Sequence, residues 1–103
     1  MLQKQKALNL LGLATRARKL ISGTDTVIAG LKKKQVKIVI VASDLHENSD
    51  EKVRRAAKNA GVKVFDTFTS EELNHAIGKN RKVLGVTDAG FSKSIVKQIN
   101  EGV

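Results

Sequence analysis

The chain has 103 residues, 41 % hydrophobic and 28 % charged, which suits one globular domain with one core and is too apolar for a disordered chain. It has no cysteine, which removes disulfides and thiolate chemistry, and its longest clean apolar run, Ile38 to Ala42, is far too short to span a membrane. The formal net charge of +9 points to a polyanionic partner.

In chain order, residues 2–18 predict a helix, because Ala7, Leu10, Leu11, Ala14 and Ala17 recur at helical spacing. The N-terminal "MLQKQKALNLL" lacks a continuous apolar h-region and a cleavage site, so residues 1–103 read as one cytoplasmic domain. Leu20–Ser22 predict a short strand, and Gly23 breaks it. Ser22 with Asp25 forms a capping-box pattern, Thr24 being the alternative cap, for a helix that buries Val27, Ile28 and Leu31. Asp25, Thr26, Ala29, Lys32 and Lys33 fall on its other side. The β-branched run at 37–42 predicts a buried strand. Asn48 with Glu51 caps the next helix, which carries Val53, Ala56, Ala57 and Ala60 and stops at Gly61. Residues 62–65 predict another strand, Thr69 with Glu72 caps a short helix closed by Gly78, and 82–86 predict a fourth strand. Asp88 caps a last helix with Phe91, Ile95, Val96 and Ile99 as its apolar stripe. The order is αβαβαβαβα, an α/β/α sandwich, and the alternation implies a mostly parallel sheet.

The charge is uneven. Residues 1–37 hold nine Lys/Arg and one acid, residues 38–78 five bases and seven acids, and residues 79–103 five bases and two acids. Such asymmetry predicts a basic face. Arg16, Arg18 and Lys19 join Lys32–Lys34 and the "GKNRK" loop (Lys79, Arg81, Lys82) as its candidate cations.

Signals for catalysis are poor. His75 lies in the middle of a predicted helix. His46 stands in "SDLHEN", beside Asp44, at the C-terminal edge of a strand where ligands sit in open α/β sheets, but the spacing is not that of metal ligands. Neither a dinucleotide-binding nor a phosphate-loop glycine pattern occurs, although Gly23-Thr24 before a helix can hold one phosphate. With no Trp or Tyr and three Phe, a base-stacking platform is not expected either. What remains is contact by cations and a helix N-terminus aimed at a groove or phosphate.

"KLISGTDTVIAGLKK", "VIVASDLH" and "LNHAIGKNRKV" resemble the ribosomal L-seven-Ae-type family of kink-turn RNA-binding proteins. "GLATRARKLISG" and "VTDAGF" are similar to its small bacterial YlxQ-like branch. The resemblance covers nearly the whole chain. It implies an α/β/α sandwich with a four-stranded mixed sheet and RNA bound at the N-terminus of the second helix, helped by two loops. Gly23 and Thr24 match the family signature there, whereas Asp25 stands where Asn or Lys is usual, Thr26 where Glu or Gln is usual, and Ala29 where Lys is usual. An ionised Asp accepts but cannot donate, so it can take guanine N1/N2 hydrogens yet repels phosphate. Lys32 or Lys33, one turn on, is the candidate to replace the missing cation.

The expectation is therefore a monomeric, non-enzymatic, ribosome-associated RNA-binding protein without cofactor, metal or membrane partner. Its RNA is ribosomal or a structured messenger element. The contacts are Lys19, Gly23, Thr24, Asp25, Thr26, Lys33, Asp44, His46, Lys79, Arg81 and Lys82. The alternative is a protein-interaction or structural module of the same fold whose basic face is incidental.

Overall fold

The structure, a computed structural model, describes residues 2–101. The elements run α1 (Leu2–Arg16), β1 (Leu20–Ser22), α2 (Thr24–Lys32), β2 (Ile38–Val41), α3 (Glu47–Ala60), β3 (Val64–Phe65), α4 (Ser70–Ile77), β4 (Val83–Val86) and α5 (Ala89–Glu101). The order is the expected one, with ends one or two residues inside several predicted boundaries.

The four strands form one mixed sheet in the order β1-β4-β2-β3. β4 lies antiparallel to both β1 and β2, and only β2 and β3 are parallel. The mostly parallel sheet expected from simple alternation is thus corrected, and the mixed sheet implied by the family resemblance is what forms. The physical reason is α4. A parallel return needs a connection that travels back along the sheet. α4 does not make that journey: Ser70 at its start is bonded to Asp44, and the loop after it is bonded to Ala42, so α4 begins and ends where β3 finished and β4 starts there.

Helices cover both faces. On one, Leu11 of α1, Leu73 of α4 and Ile95 of α5 pack with Ile40, Leu84 and the fully buried Phe68. On the other, Val27 and Leu31 of α2 and Val53 and Ala57 of α3 pack with Val39 and Val41. β2 alternates its side chains between these clusters, which is why all four of its residues are buried.

Local chemistry explains most helix ends. Thr69 and Glu72 make a reciprocal capping box on α4, as expected. Asp88 Oδ2 accepts from Phe91 N at 2.8 Å at the start of α5, also as expected. α3 begins one residue before the predicted cap: His46, not Asn48, is its N-cap, with Nδ1 accepting from Asn48 N at 3.3 Å. α2 departs further. Its N-cap is Gly23, and no side chain caps it, neither Ser22 nor Thr24 nor Asp25.

At their C-termini α3 and α4 end on left-handed glycines, Gly61 and Gly78. α1 and α2 make the same kind of turn on Arg18 and Lys34, both at φ 59°. Lys19 N donates to Ala14 O and Gln35 N to Gly30 O, as Val62 N does to Ala57 O after α3. A side chain in this conformation costs about 1–2 kcal/mol relative to glycine. A cation at a helix C-terminus returns about 0.3–1 kcal/mol through the dipole.

Candidate functional site

β1 and β2 finish, and β4 starts, at one end of the sheet. Gly23 N donates to Val83 O, and Ala42 N donates to Lys82 O, both at 2.9 Å. Those two bonds bring three segments together: the N-terminus of α2 (Gly23–Thr26), the loop 42–46 after β2, and the loop 78–82 before β4. They hold nine of the eleven residues singled out in the sequence.

Gly23 creates the first wall. Its φ of 101° and ψ of 144° lie where only glycine is at ease, and they turn the chain from β1 straight into α2. Val27 N, donating to Gly23 O at 2.9 Å, makes the first bond of the helix. With no side-chain cap, the N–H groups of Thr24, Asp25 and Thr26 are left for another acceptor, at the positive end of the helix dipole. Asp25 is exposed and in no ion pair among the described residues. Thr26 and Ala29 are exposed too, and with Asp25 and Lys33 they line one groove along α2. Lys33 therefore shares the face on which the family pattern has a lysine at 29. Lys32 lies on the opposite flank, in a groove against α3 with Lys52 and Arg55.

The second wall is held by Asp44. Its Oδ1 accepts from Ser70 N at 2.9 Å and Ser70 Oγ at 2.7 Å. These two bonds, hydroxyl first, hold the Asp44 carboxyl below its ordinary value, and the charge of Lys82 adds to them. Asp44 is thus an ionised group that shapes its loop and tempers the cations beside it. His46 is exposed in the same loop and is engaged as the cap of α3. No group of three His, Cys, Asp or Glu side chains with metal-site geometry occurs among the described residues.

The third wall carries Lys79, Arg81 and Lys82, all exposed. Asn74, in the last turn of α4, grips this loop at three points. Its carbonyl accepts from Gly78 N at 2.9 Å, its Oδ1 from Arg81 N at 2.9 Å, and its Nδ2 donates to Asn80 Oδ1 at 3.0 Å. The guanidinium of Arg81 donates to Asn80 O at 3.1 Å. Asn74 was not among the sequence candidates. The only signal for it was an Asn four residues before a C-terminal glycine with a second Asn beyond.

Lys19 is placed elsewhere. Its carbonyl accepts from Thr87 N, at the opposite end of β1 from Gly23. Four residues of strand separate the two by about 13 Å. The expected single basic face is therefore divided: Arg18, Lys19 and Lys34 lie at the far end of the sheet, and the site draws its cations chiefly from residues 79–82.

A model of the ribosomal protein L7Ae/L30e/S12e/Gadd45 family matches residues 5–96. The chain is 44 % identical over 99 residues to a protein of Enterococcus faecium named RNA-binding protein YlxQ, covering 96 % of this chain and 95 % of that one. It is 35 % identical over 92 residues to the Bacillus subtilis protein of the same name, covering 88 % and 92 %. A solved structure from Bacillus halodurans, of a protein with unknown function, superposes with a TM-score of 0.88 at 38 % identity, covering 92 % of this chain and 97 % of that one. The Giardia lamblia 15.5kD RNA binding protein superposes with a TM-score of 0.77 at 15 % identity, covering 98 % and 88 %, a likeness of fold.

Proposed function

The chain belongs to the ribosomal protein L7Ae/L30e/S12e/Gadd45 family, and on that premise we propose that it binds RNA, without catalysis, at the end of the sheet where α2 begins. The target is a kinked, ribosome-associated RNA of the kink-turn kind. The observation that carries this reading is the α2 N-terminus: it opens on glycine with no side-chain cap, between two loops built to a fixed shape. The names of the two YlxQ relatives support RNA as the partner.

In this reading the free N–H groups and hydroxyls of Thr24 and Thr26 meet backbone and base edges in the bend. Asp25 accepts from guanine N1 and N2, which an ionised carboxylate does well and phosphate recognition does not require. Lys33, Lys79, Arg81 and Lys82 pair with phosphates. Asp44 and His46 form the second wall, Asp44 as the residue that sets its loop.

The test compares a kink-turn RNA with a straight duplex of equal length at two salt concentrations. Tighter binding of the kinked RNA supports the reading, and Thr24→Ala with Asp25→Ala should abolish that preference. Equal affinity for both with a steep salt slope leaves only nonspecific polyanion binding. Failure to bind either RNA at low salt sides with a protein-interaction module.

A further inference from the structure

β1, β2 and β3 all begin, and β4 finishes, at the end of the sheet opposite the candidate site. A lysine precedes each of the three beginning strands. Lys19 O accepts from Thr87 N, Lys37 N donates to Val86 O at 2.8 Å, and Lys63 O accepts from Val39 N at 3.0 Å. With the strand order β1-β4-β2-β3, these lysines form a rim across the whole sheet. Lys19 and Lys37 stand about 10 Å apart, with the end of β4 between them. Arg18 and Lys34, the two left-handed residues, border the same rim. All five are exposed, and none is in an ion pair among the described residues. The acid there, Asp88, spends Oδ2 on Phe91 N. At the other end each of these strands is followed within three residues by an aspartate: Asp25, Asp44 and Asp66.

Helix ends alone do not account for this polarity. Cations suit helix C-termini, but α3 and α4 close on glycine where α1 and α2 keep Arg18 and Lys34 in a conformation that costs at least what the dipole returns. An unfavourable backbone retained twice at one surface asks for a reason outside folding. The groove that Lys34 borders is lined by Ile28, Leu31, Ala56 and Ala60, none of them an exposed large hydrophobic. Among the described residues the one exposed large hydrophobic is Leu13, in a groove between α1 and α4.

We propose that this rim is a second RNA contact, which holds the phosphate backbone of duplex RNA without reading bases while the α2 end reads the bend. It rests on the RNA-binding reading above, but not on kink recognition. Exposed lysines at the ends of neighbouring strands, with no stacking aromatic, suit sequence-independent phosphate contact.

The test is Arg18→Gly with Lys34→Gly, which removes two cations and gives both turns their preferred residue. Binding to a straight RNA duplex should weaken about tenfold at 0.1 M salt, and the log–log salt slope should flatten by about 1.8 for two lost phosphate contacts. Thermal stability should hold or rise, and any preference for kinked RNA should persist. Lys19→Gln with Lys37→Gln, which leaves the helix ends alone, should flatten the slope equally. Unchanged duplex binding with lowered thermal stability would make these cations helix caps and overturn the proposal. Unchanged duplex binding with weakened binding to phosphatidylglycerol vesicles would also overturn it, in favour of a membrane surface. If the unmodified protein shows no kink preference but its duplex slope responds to these variants, the rim stands and kink reading falls. If it binds no RNA, both fall.

Discussion

Asp44 and Ser70 are joined twice: the backbone N–H and the hydroxyl of Ser70 both donate to one oxygen, Oδ1, of Asp44. The pair ties the loop after β2 to the first residue of α4 across 26 positions of sequence. It builds one wall of the candidate site and makes that wall sensitive to acid. Ser70 holds the Asp44 carboxyl below its ordinary 3.8, and hydrogen bonds from Thr69 with the charge of Lys4 hold Glu72 below 4.5. Below those ordinary values the unfolded chain binds more protons than the folded one. The stabilisation is therefore full above them and is lost as pH falls through the lowered folded values. Thermal melts between about pH 5 and 3 should show this loss. Ser70→Ala should lower the melting temperature at neutral pH and make the remaining pH dependence shallower; an equally steep acid transition in the variant would show that Ser70 does not set the Asp44 carboxyl.

Asn74→Ala removes the side-chain grip on the loop that carries Arg81 while leaving Lys79, Arg81 and Lys82 in place. Two hydrogen bonds at about 0.5–1.5 kcal/mol each bound the effect on loop order. Amide exchange at Arg81 should accelerate. Affinity for a kinked RNA should fall by about tenfold, with little change for a straight duplex, because the cations remain but no longer sit at a set distance from α2. Equal losses on both RNAs would reduce Asn74 to a general stabiliser.

Lys33 and Lys32 should separate by face. Lys33 shares the groove with Thr26 and Ala29, and Lys32 does not. Lys33→Ala should weaken kinked-RNA binding and flatten the salt slope by about one. Lys32→Ala should leave it unchanged, and Ala29→Lys should strengthen it. Salt titrations of the three variants decide the assignment.

Gly12→Ala should destabilise the protein although alanine is the better helix former. A Cβ at 12 would stand 2.9 Å from Ala76 O, backbone of α4, which cannot swing aside. Overpacking of about 1–3 kcal/mol outweighs the gain of about 1 kcal/mol in helix propensity. A lower urea midpoint with an unchanged m-value is the expected result.

Much of this architecture was legible from local signals. The capping box at Thr69 and Glu72, the Asp88 cap and the β-branched run 38–41 each act within a few residues, and the structure keeps all three. Gly23 was legible as a break, but its role as an uncapped N-terminus was not, because Ser22 and Asp25 imitate a capping box. His46 hid as a cap for a related reason: its ring nitrogen replaces the oxygen that the usual pattern looks for. Asn74 depends on where a loop folds back, and its neighbours Asn80 and Arg81 carry no pattern that predicts the grip.

The amino-acid sequence by itself determined the kind and order of the elements, the apolar faces and the family, since periodicity, turn residues and motif spacing are all written along the chain. Tertiary structure decided which charges share a surface. Strand order and direction come from pairing between distant segments, and α4, which starts and ends at one end of the sheet, sends β4 back between β1 and β2. That reversal sets Lys82 beside Gly23 and Ala42 and moves Lys19 to the far rim. Cations expected on one basic face became two separate ends of a molecule, because charge follows the path of the backbone and the path follows the burial of its apolar faces.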